Sequence, residues 1–205
     1  EERKGDVRVI AENPFTLLAS RINTSDKRFW RLLRYTHYIR YEYGYKEVLI
    51  SDTEGIIHVS TQKGRIGADV SEQEYFKKAM NGETFASQVF PSKELVENKY
   101  GRMETGVPTM VVATPVTDQN KIMGVACLRV DVEKISELMR SIKLGASGET
   151  YLINKQGYMI TESRFVTDLR NEGLIESDTT LEIKLINPEM GKLTKSVSEC
   201  LKGHT

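Results

Sequence analysis

The chain has 205 residues, with 29 Lys+Arg against 29 Asp+Glu and a formal net charge of zero. No basic excess is present, which argues against a nucleic-acid binder, and 39% hydrophobic residues is the composition of a folded chain rather than a disordered one. The longest apolar stretch, Met110–Val116, is broken by Thr114 and Pro115 and falls far short of the roughly 20 residues that a bilayer span requires. With Glu1 first and no signal peptide, the sequence reads as a soluble piece excised from something longer. Cys127 and Cys200 are too few for a disulfide scaffold and read as two small buried hydrophobes.

The first forty-odd residues show helical spacing: Val7, Ile10, Leu17, Leu18 and Ile22, then Phe29, Leu32, Leu33 and Thr36. Pro14 should kink this helix or divide it, and Asn23–Asp26 is a second weak point. Such a helix serves either as a stalk and dimer seam or as a cover for its own domain. Asn23-Thr24-Ser25 is formally a glycosylation sequon.

A strand-turn-strand unit follows and occurs twice. Residues 48–61 and 150–163 align with Gly55 on Gly157, an offset of 102 positions (157 − 55). Leu49 then meets Tyr151, Asp52 meets Asn154, and apolar residues coincide at 56/158 and 57/159. In each copy an acid or amide stands three residues before a Gly, the pattern of a side chain capping a turn in which Gly takes the positive φ. Two copies predict two modules of one sheet architecture in tandem.

Between the copies, Ser71-Glu72-Gln73-Glu74 has the form of a capping box that opens a helix with Tyr75, Phe76, Ala79 and Met80, ended by Gly82. Strands are expected at 84–90, 109–117 and 121–130, the last two joined by the polar loop Asp118-Gln119-Asn120. Two strands, a helix and three antiparallel strands make a five-stranded sheet with a helix on one face, the layout of PAS-like sensor modules. The loop 91–108 is long and charged, which marks it as a functional lid or a disordered segment. Asp131 should cap a helix with Val132, Ile135, Leu138, Met139 and Ile142 on one face. Beyond the second hairpin, 181–186 is an apolar-polar segment. Asn187 and Pro188 should then start a last helix with the stripe Met190, Leu193, Val197 and Leu201, ended by Gly203. No strands follow it, so the second module reads as incomplete.

Gly148-Glu149-Thr150-Tyr151-Leu152-Ile153-Asn154, running through Gly157 to Ile160-Thr161-Glu162-Ser163-Arg164-Phe165, is similar to the start of the membrane-proximal module of double Cache (PAS-like, PDC) sensor domains. Ala113-Thr114-Pro115-Val116 and Gly124-Val125-Ala126-Cys127-Leu128-Arg129-Val130-Asp131 resemble the closing hairpin of the membrane-distal module. The resemblance implies an α+β fold: a long N-terminal stalk or dimerisation helix (1–44), a membrane-distal module (45–131), a connecting helix (132–147) and a partial membrane-proximal module (148–205). It further implies the extracellular or periplasmic, ligand-sensing part of a transmembrane receptor, with parallel dimerisation and a small-molecule pocket in the distal module. A sensor histidine kinase is the favoured output. A chemoreceptor, a diguanylate cyclase or a non-signalling solute-binding domain are the alternatives.

In many relatives the pocket grips an amino acid through an Arg, aromatic and Asp pattern. Here the resemblance puts the aromatic pair on Tyr75 and Phe76, the carboxylate-binding Arg on Gln73, a later Tyr near Phe90, an Asp near Ser92 and the ammonium-binding Asp on Arg129. The cation and the anion that would hold an α-amino acid are therefore both replaced. A cation at 129 favours an acceptor-rich or anionic ligand instead. Met110 and Val112, alternating on a strand, are candidate cavity walls, and core packing accounts for them equally. Tyr75 and Phe76 have the same two readings, and Arg129 could instead pair with Glu94, Glu97 or Glu104 of the lid.

Nothing points to catalysis or a cofactor. Ser60-Thr61-Gln62-Lys63 fits Ser-x-x-Lys but lies at a strand end, and His37, His58 and His204 have no paired spacing.

Overall fold

The computed structural model describes residues 2–22, 24–145, 148–176, 178–187 and 189–203; Asn23 of the sequon, Pro188 and His204 lie outside them. In chain order the elements are α1 (Glu2–Ala11), a 3-10 turn (Thr16–Arg21), α2 (Lys27–Tyr43), β1 (Tyr45–Ser51), β2 (Ile57–Ser60), α3 (Glu74–Met80), β3 (Phe85–Ala86), β4 (Phe90–Pro91), β5 (Val96–Glu97), β6 (Met103–Glu104), β7 (Pro108–Asp118), β8 (Lys121–Val130), α4 (Val132–Ser141), β9 (Lys143–Leu144), β10 (Gly148–Glu149), α5 (Val166–Asn171) and α6 (Lys195–Leu201). They fall into two compact units, residues 1–88 with 110–131 and residues 89–109 with 132–205. The fold is α+β, as expected.

Both weak points of the N-terminal helix are breaks. Ahead of Pro14, α1 stops at Ala11, and Asn13 Oδ1 accepts the Phe15 N–H at 2.9 Å. Asp26 then caps α2 by accepting the Arg28 N–H at 2.7 Å, and Gly44 ends it at φ +68°, donating to the Arg40 carbonyl. Val7, Ile10, Phe29, Leu32 and Thr36 face inward at 2% exposure or less.

In the first unit the sheet order is β2-β1-β8-β7-β3, all antiparallel. The β7–β8 hairpin turns on Gln119 (φ +46°) and Asn120 (φ +65°), a two-residue primed turn whose twist matches the strands. The stretch 84–90, expected as one strand, divides into β3 and β4. Ser87 Oγ accepts the Val111 N–H at 2.9 Å, so a side chain takes the position that the next ladder carbonyl would hold.

Residues directly paired across antiparallel strands share a face. One face carries Glu47, Leu49, Cys127, Arg129, Val111 and Ala113; the other carries Val48, Ile50, Ala126, Leu128, Val112 and Thr114. Thr114 Oγ1 meets Thr84 Oγ1 at 2.8 Å, and Arg8 Nε of α1 donates to Thr84 Oγ1 at 3.3 Å, so α1 lies toward the Thr114 face. The capping box does not form: α3 begins at Glu74 with Gln73 as N-cap, and the turn before it is held by Asp69 Oδ1 accepting the Ser71 N–H. Asp69 sits two residues ahead of Ser71 and reaches its N–H first, which leaves Ser71 inside a turn.

In the second unit the 91–108 stretch is an ordered hairpin. Val96 is 1% exposed, and Asn98 Oδ1 accepts from both Tyr100 N and Arg102 N. Lys99 Nζ pairs with Glu162 Oε1 and with Asp178 Oδ2, and Glu162 N–H donates to Ser136 Oγ at 3.1 Å. Among the described residues beyond β10, the strand-like pairing consists of isolated bridges, Ile153 with Met159, Tyr158 with Lys184 and Ile186 with Leu193. The last helix is shorter than the sequence suggests. Asn187 Oδ1 accepts from Glu189 N and Met190 N, Gly191 takes φ +63°, and the helix begins only at Lys195. The Asn side chain diverts the backbone into a turn. Val197 is buried, whereas Met190 and Leu201 are exposed. Cys127 is buried, but Cys200 is exposed, because α6 turns Val197 inward instead.

Candidate functional site

A buried ionic cluster stands on the sheet of the first unit. Glu47 of β1 is fully buried, and its register partner Arg129 of β8 is 3% exposed. Arg129 Nε donates to Glu47 Oε2 at 3.2 Å, while Arg65 Nε reaches Oε1 at 3.3 Å from the loop after β2 and Ser60 Oγ donates to Oε1 at 2.8 Å. Two guanidiniums and a hydroxyl thus converge on one carboxylate. Removing charge from water is costly, and such a group persists only with charged and hydrogen-bonding partners. Glu47 was not legible as a member: a lone acid entering the run Val48-Leu49-Ile50 reads as a strand-end charge, and only pairing with β8 takes it inside.

Among the lid acids, Glu104 accepts from Asn98 Nδ2 at 2.8 Å. Of the other candidates, Gln73, Tyr75, Phe76, Met110 and Val112 belong with Arg129 to the first unit, and Phe90 and Ser92 to the second. Tyr75 and Phe76 are buried on α3, which packs on β8 and β3, and Gln73 is half-buried at the N-cap. Met110 and Val112 pair with Val130 and Leu128, so they project from the face opposite Arg129, and Val111 takes the position beside it. Phe90 is half-buried on β4. Ser92 is buried with its hydroxyl in a local turn, donating to the Glu94 carbonyl at 2.9 Å.

The repeated turns agree bond for bond. Asp52 Oδ1 accepts from Glu54 N and Ile56 N, both at 2.9 Å; Asn154 Oδ1 accepts from Gln156 N at 3.0 Å and Tyr158 N at 2.9 Å. Gly55 and Gly157 take φ of +91° and +84°. The acid adds one contact, His58 Nε2 at 2.7 Å from Asp52 Oδ2. Burial pushes the Asp52 carboxyl up, but donation from His58, Ile56 and Glu54 outweighs this and holds it below the ordinary aspartate value. Ser60 of the Ser-x-x-Lys stretch spends its hydroxyl on Glu47, while Lys63 is exposed. Among the described residues no three acids, histidines or cysteines gather as a metal site, and no helix is long and apolar enough to cross a membrane.

The double Cache family model, described as Cache domain, matches residues 7–199. The chain belongs to the Cache domain family. Cache domains are non-enzymatic ligand-sensing modules of histidine kinases and chemoreceptors, and in those receptors they lie outside the cytoplasmic membrane. This Cache domain is 24% identical over 106 residues, 51% of its length, to the methyl-accepting chemotaxis protein PscA of Pseudomonas syringae pv. tomato, and it spans 17% of that protein's length. Its fold is similar to the ligand-binding domain of the Pseudomonas aeruginosa amino acid chemoreceptor PctC in complex with GABA. That likeness has a TM-score of 0.57 at 16% identity and covers 90% of this chain and 70% of the other. The Campylobacter jejuni chemoreceptor Tlp3 ligand-binding domain with 4-methylisoleucine gives 0.57 at 15% identity, covering 84% and 63%.

Proposed function

We propose that this chain is the extracytoplasmic sensor of a transmembrane signal-transduction receptor whose output is a histidine kinase. The membrane-distal module, residues 45–131, binds a small anionic or acceptor-rich molecule. Residues 132–147 connect it to the partial membrane-proximal module at 148–205, and residues 1–44 form the stalk. Supporting the ligand class is one observation: Arg129 and Arg65 both direct guanidinium N–H groups at the carboxylate of Glu47 on the same face of the sheet. Such forks recognise carboxylates and phosphates by geometry as well as charge. A ligand anion would enter by competing with Glu47 for these donors. Gln73, Tyr75, Phe76 and Val111 are the candidate walls within the first unit, and Met110 and Val112 support the sheet from the face opposite Arg129.

Binding would act by population shift, favouring the arrangement in which the ligand has more contacts. The receptor would assemble as a parallel homodimer through α1 of the stalk, where Val9 is 56% exposed. A chemoreceptor output is the second reading, favoured by the likeness to PscA.

The test is a thermal-shift screen of organic anions, neutral polyols, amines and α-amino acids. An anion at a hundredfold excess over its Kd should add about 2.7 kcal/mol of stability. Arg129→Lys, which keeps the charge and loses the fork, should weaken its binding about tenfold. Stabilisation by amines alone, or an affinity indifferent to Arg129→Lys, would overturn the anion site.

A further inference from the structure

The outward face of α2 is unlike the rest of this neutral chain. Residues 27–43 hold five basic side chains, Lys27, Arg28, Arg31, Arg34 and Arg40, against one acid, Glu42. Arg28 is committed to Asp26, and Arg40 donates to the Thr61 carbonyl. Arg31 and Arg34 make no hydrogen bond or ion pair with any of the described residues. Between and beyond them stand exposed aromatics: Trp30 (55%), Tyr38 (58%) and Tyr41 (86%).

The spacing 30, 34, 38, 41 places these side chains along one stripe of the helix, about 16 Å from end to end at 1.5 Å per residue. A shallow depression at its Trp30 end is lined by Trp30, Arg31, Leu33, Arg34 and His37. Trp30 is held in place rather than loose: its indole N–H donates to the Thr24 carbonyl at 2.7 Å, and its ring stands edge-on to Phe29 at 5.4 Å. Burial beside Arg40 lowers the pKa of His37, so it adds hydrogen bonding but no charge near neutral pH.

We propose that this stripe is a docking surface for an acidic segment of another protein. Arg31 and Arg34 meet its carboxylates, while Trp30, Tyr38 and Tyr41 supply the anchoring contact. Trp, Tyr and Arg are the residue types that dominate interface energetics, and rigid rings lose little entropy on contact. Charge complementarity selects the occupant. A second copy docking face to face about a two-fold axis would set Arg31 and Arg34 against themselves. A flat anionic bilayer would meet exposed Glu42 at one end of the stripe, whereas a discrete segment places its acids only where the arginines stand.

Trp30 is the sole tryptophan of the chain, so its emission reports on this face directly. The intact chain is titrated with poly-L-glutamate as the acidic probe. The expected result is a saturable change in Trp30 emission that weakens as salt rises, and an affinity at least about tenfold lower in Arg31→Glu with Arg34→Glu. The control pair Lys121→Glu with Lys155→Glu, exposed residues outside α2, should leave that affinity unchanged. Tyr38→Ala with Tyr41→Ala keeps every charge and should weaken binding several-fold, and circular dichroism verifies that each variant is folded. The proposal is overturned by no saturable change, by equal loss in the control pair, or by indifference to the tyrosine pair, which would reduce the surface to unspecific charge attraction. It is equally overturned if Trp30 responds to protein concentration alone, as self-association would produce. The same holds if it responds to phosphatidylglycerol vesicles but not to poly-L-glutamate.

Discussion

Asp52 and Asn154 perform one task with different chemistry. Each folds its side-chain oxygen over two backbone N–H groups, and only the acid also holds a histidine. Asp52→Asn should therefore keep the turn, and Asp52→Ala should lose about 1 kcal/mol in thermal denaturation. Because the folded carboxyl lies below its ordinary value, its contribution is present above the unfolded pKa and is lost as pH falls through the folded one. The stability difference between wild type and Asp52→Asn should accordingly shrink below about pH 4. Glu47 obeys another rule. Glu47→Gln removes the buried carboxylate charge that Arg129 and Arg65 share and should cost about 3 kcal/mol in chemical denaturation, with Arg129→Ala similar. The turn residues were readable because an Asx-to-Gly spacing acts locally; Glu47 was not, since its partner is 82 residues away in sequence.

Among elements, the β7–β8 hairpin was the most legible, because its period-two pattern and polar turn agree with its tertiary place. Gly124 shows what that pattern hides. A Cβ there would stand 2.1 Å from the Ser51 carbonyl oxygen, a contact made only when β8 lies against β1. Gly124→Ala should separate the two strands locally and cost more than about 2 kcal/mol by denaturant midpoint, with lost protection of the Ser51 and Val125 amides in hydrogen exchange. The helices α3 and α6 start later than the sequence pattern predicts, for one reason. At both α3 and α6 a short polar side chain, Asp69 or Asn187, satisfies backbone donors in a turn before the apolar stripe can nucleate a helix. The outward stripe of α2 is not marked in the sequence, because the inward face alone satisfies the helical pattern and exposure depends on what does not cover it.

At the scale of the molecule, the repeated turn and the α+β class are written in local chemistry. Hydrophobic period and turn residues act over a few positions and are written directly in the chain. Long-range pairing decided the rest. It set Arg129 against Glu47, turned Met110 and Val112 to the opposite face, and gave the charged 91–108 stretch an ordered hairpin with Lys99 on Glu162. The physical reason is that a strand's two faces are fixed by register. A shift of one residue exchanges them, and register depends on neighbours distant in sequence.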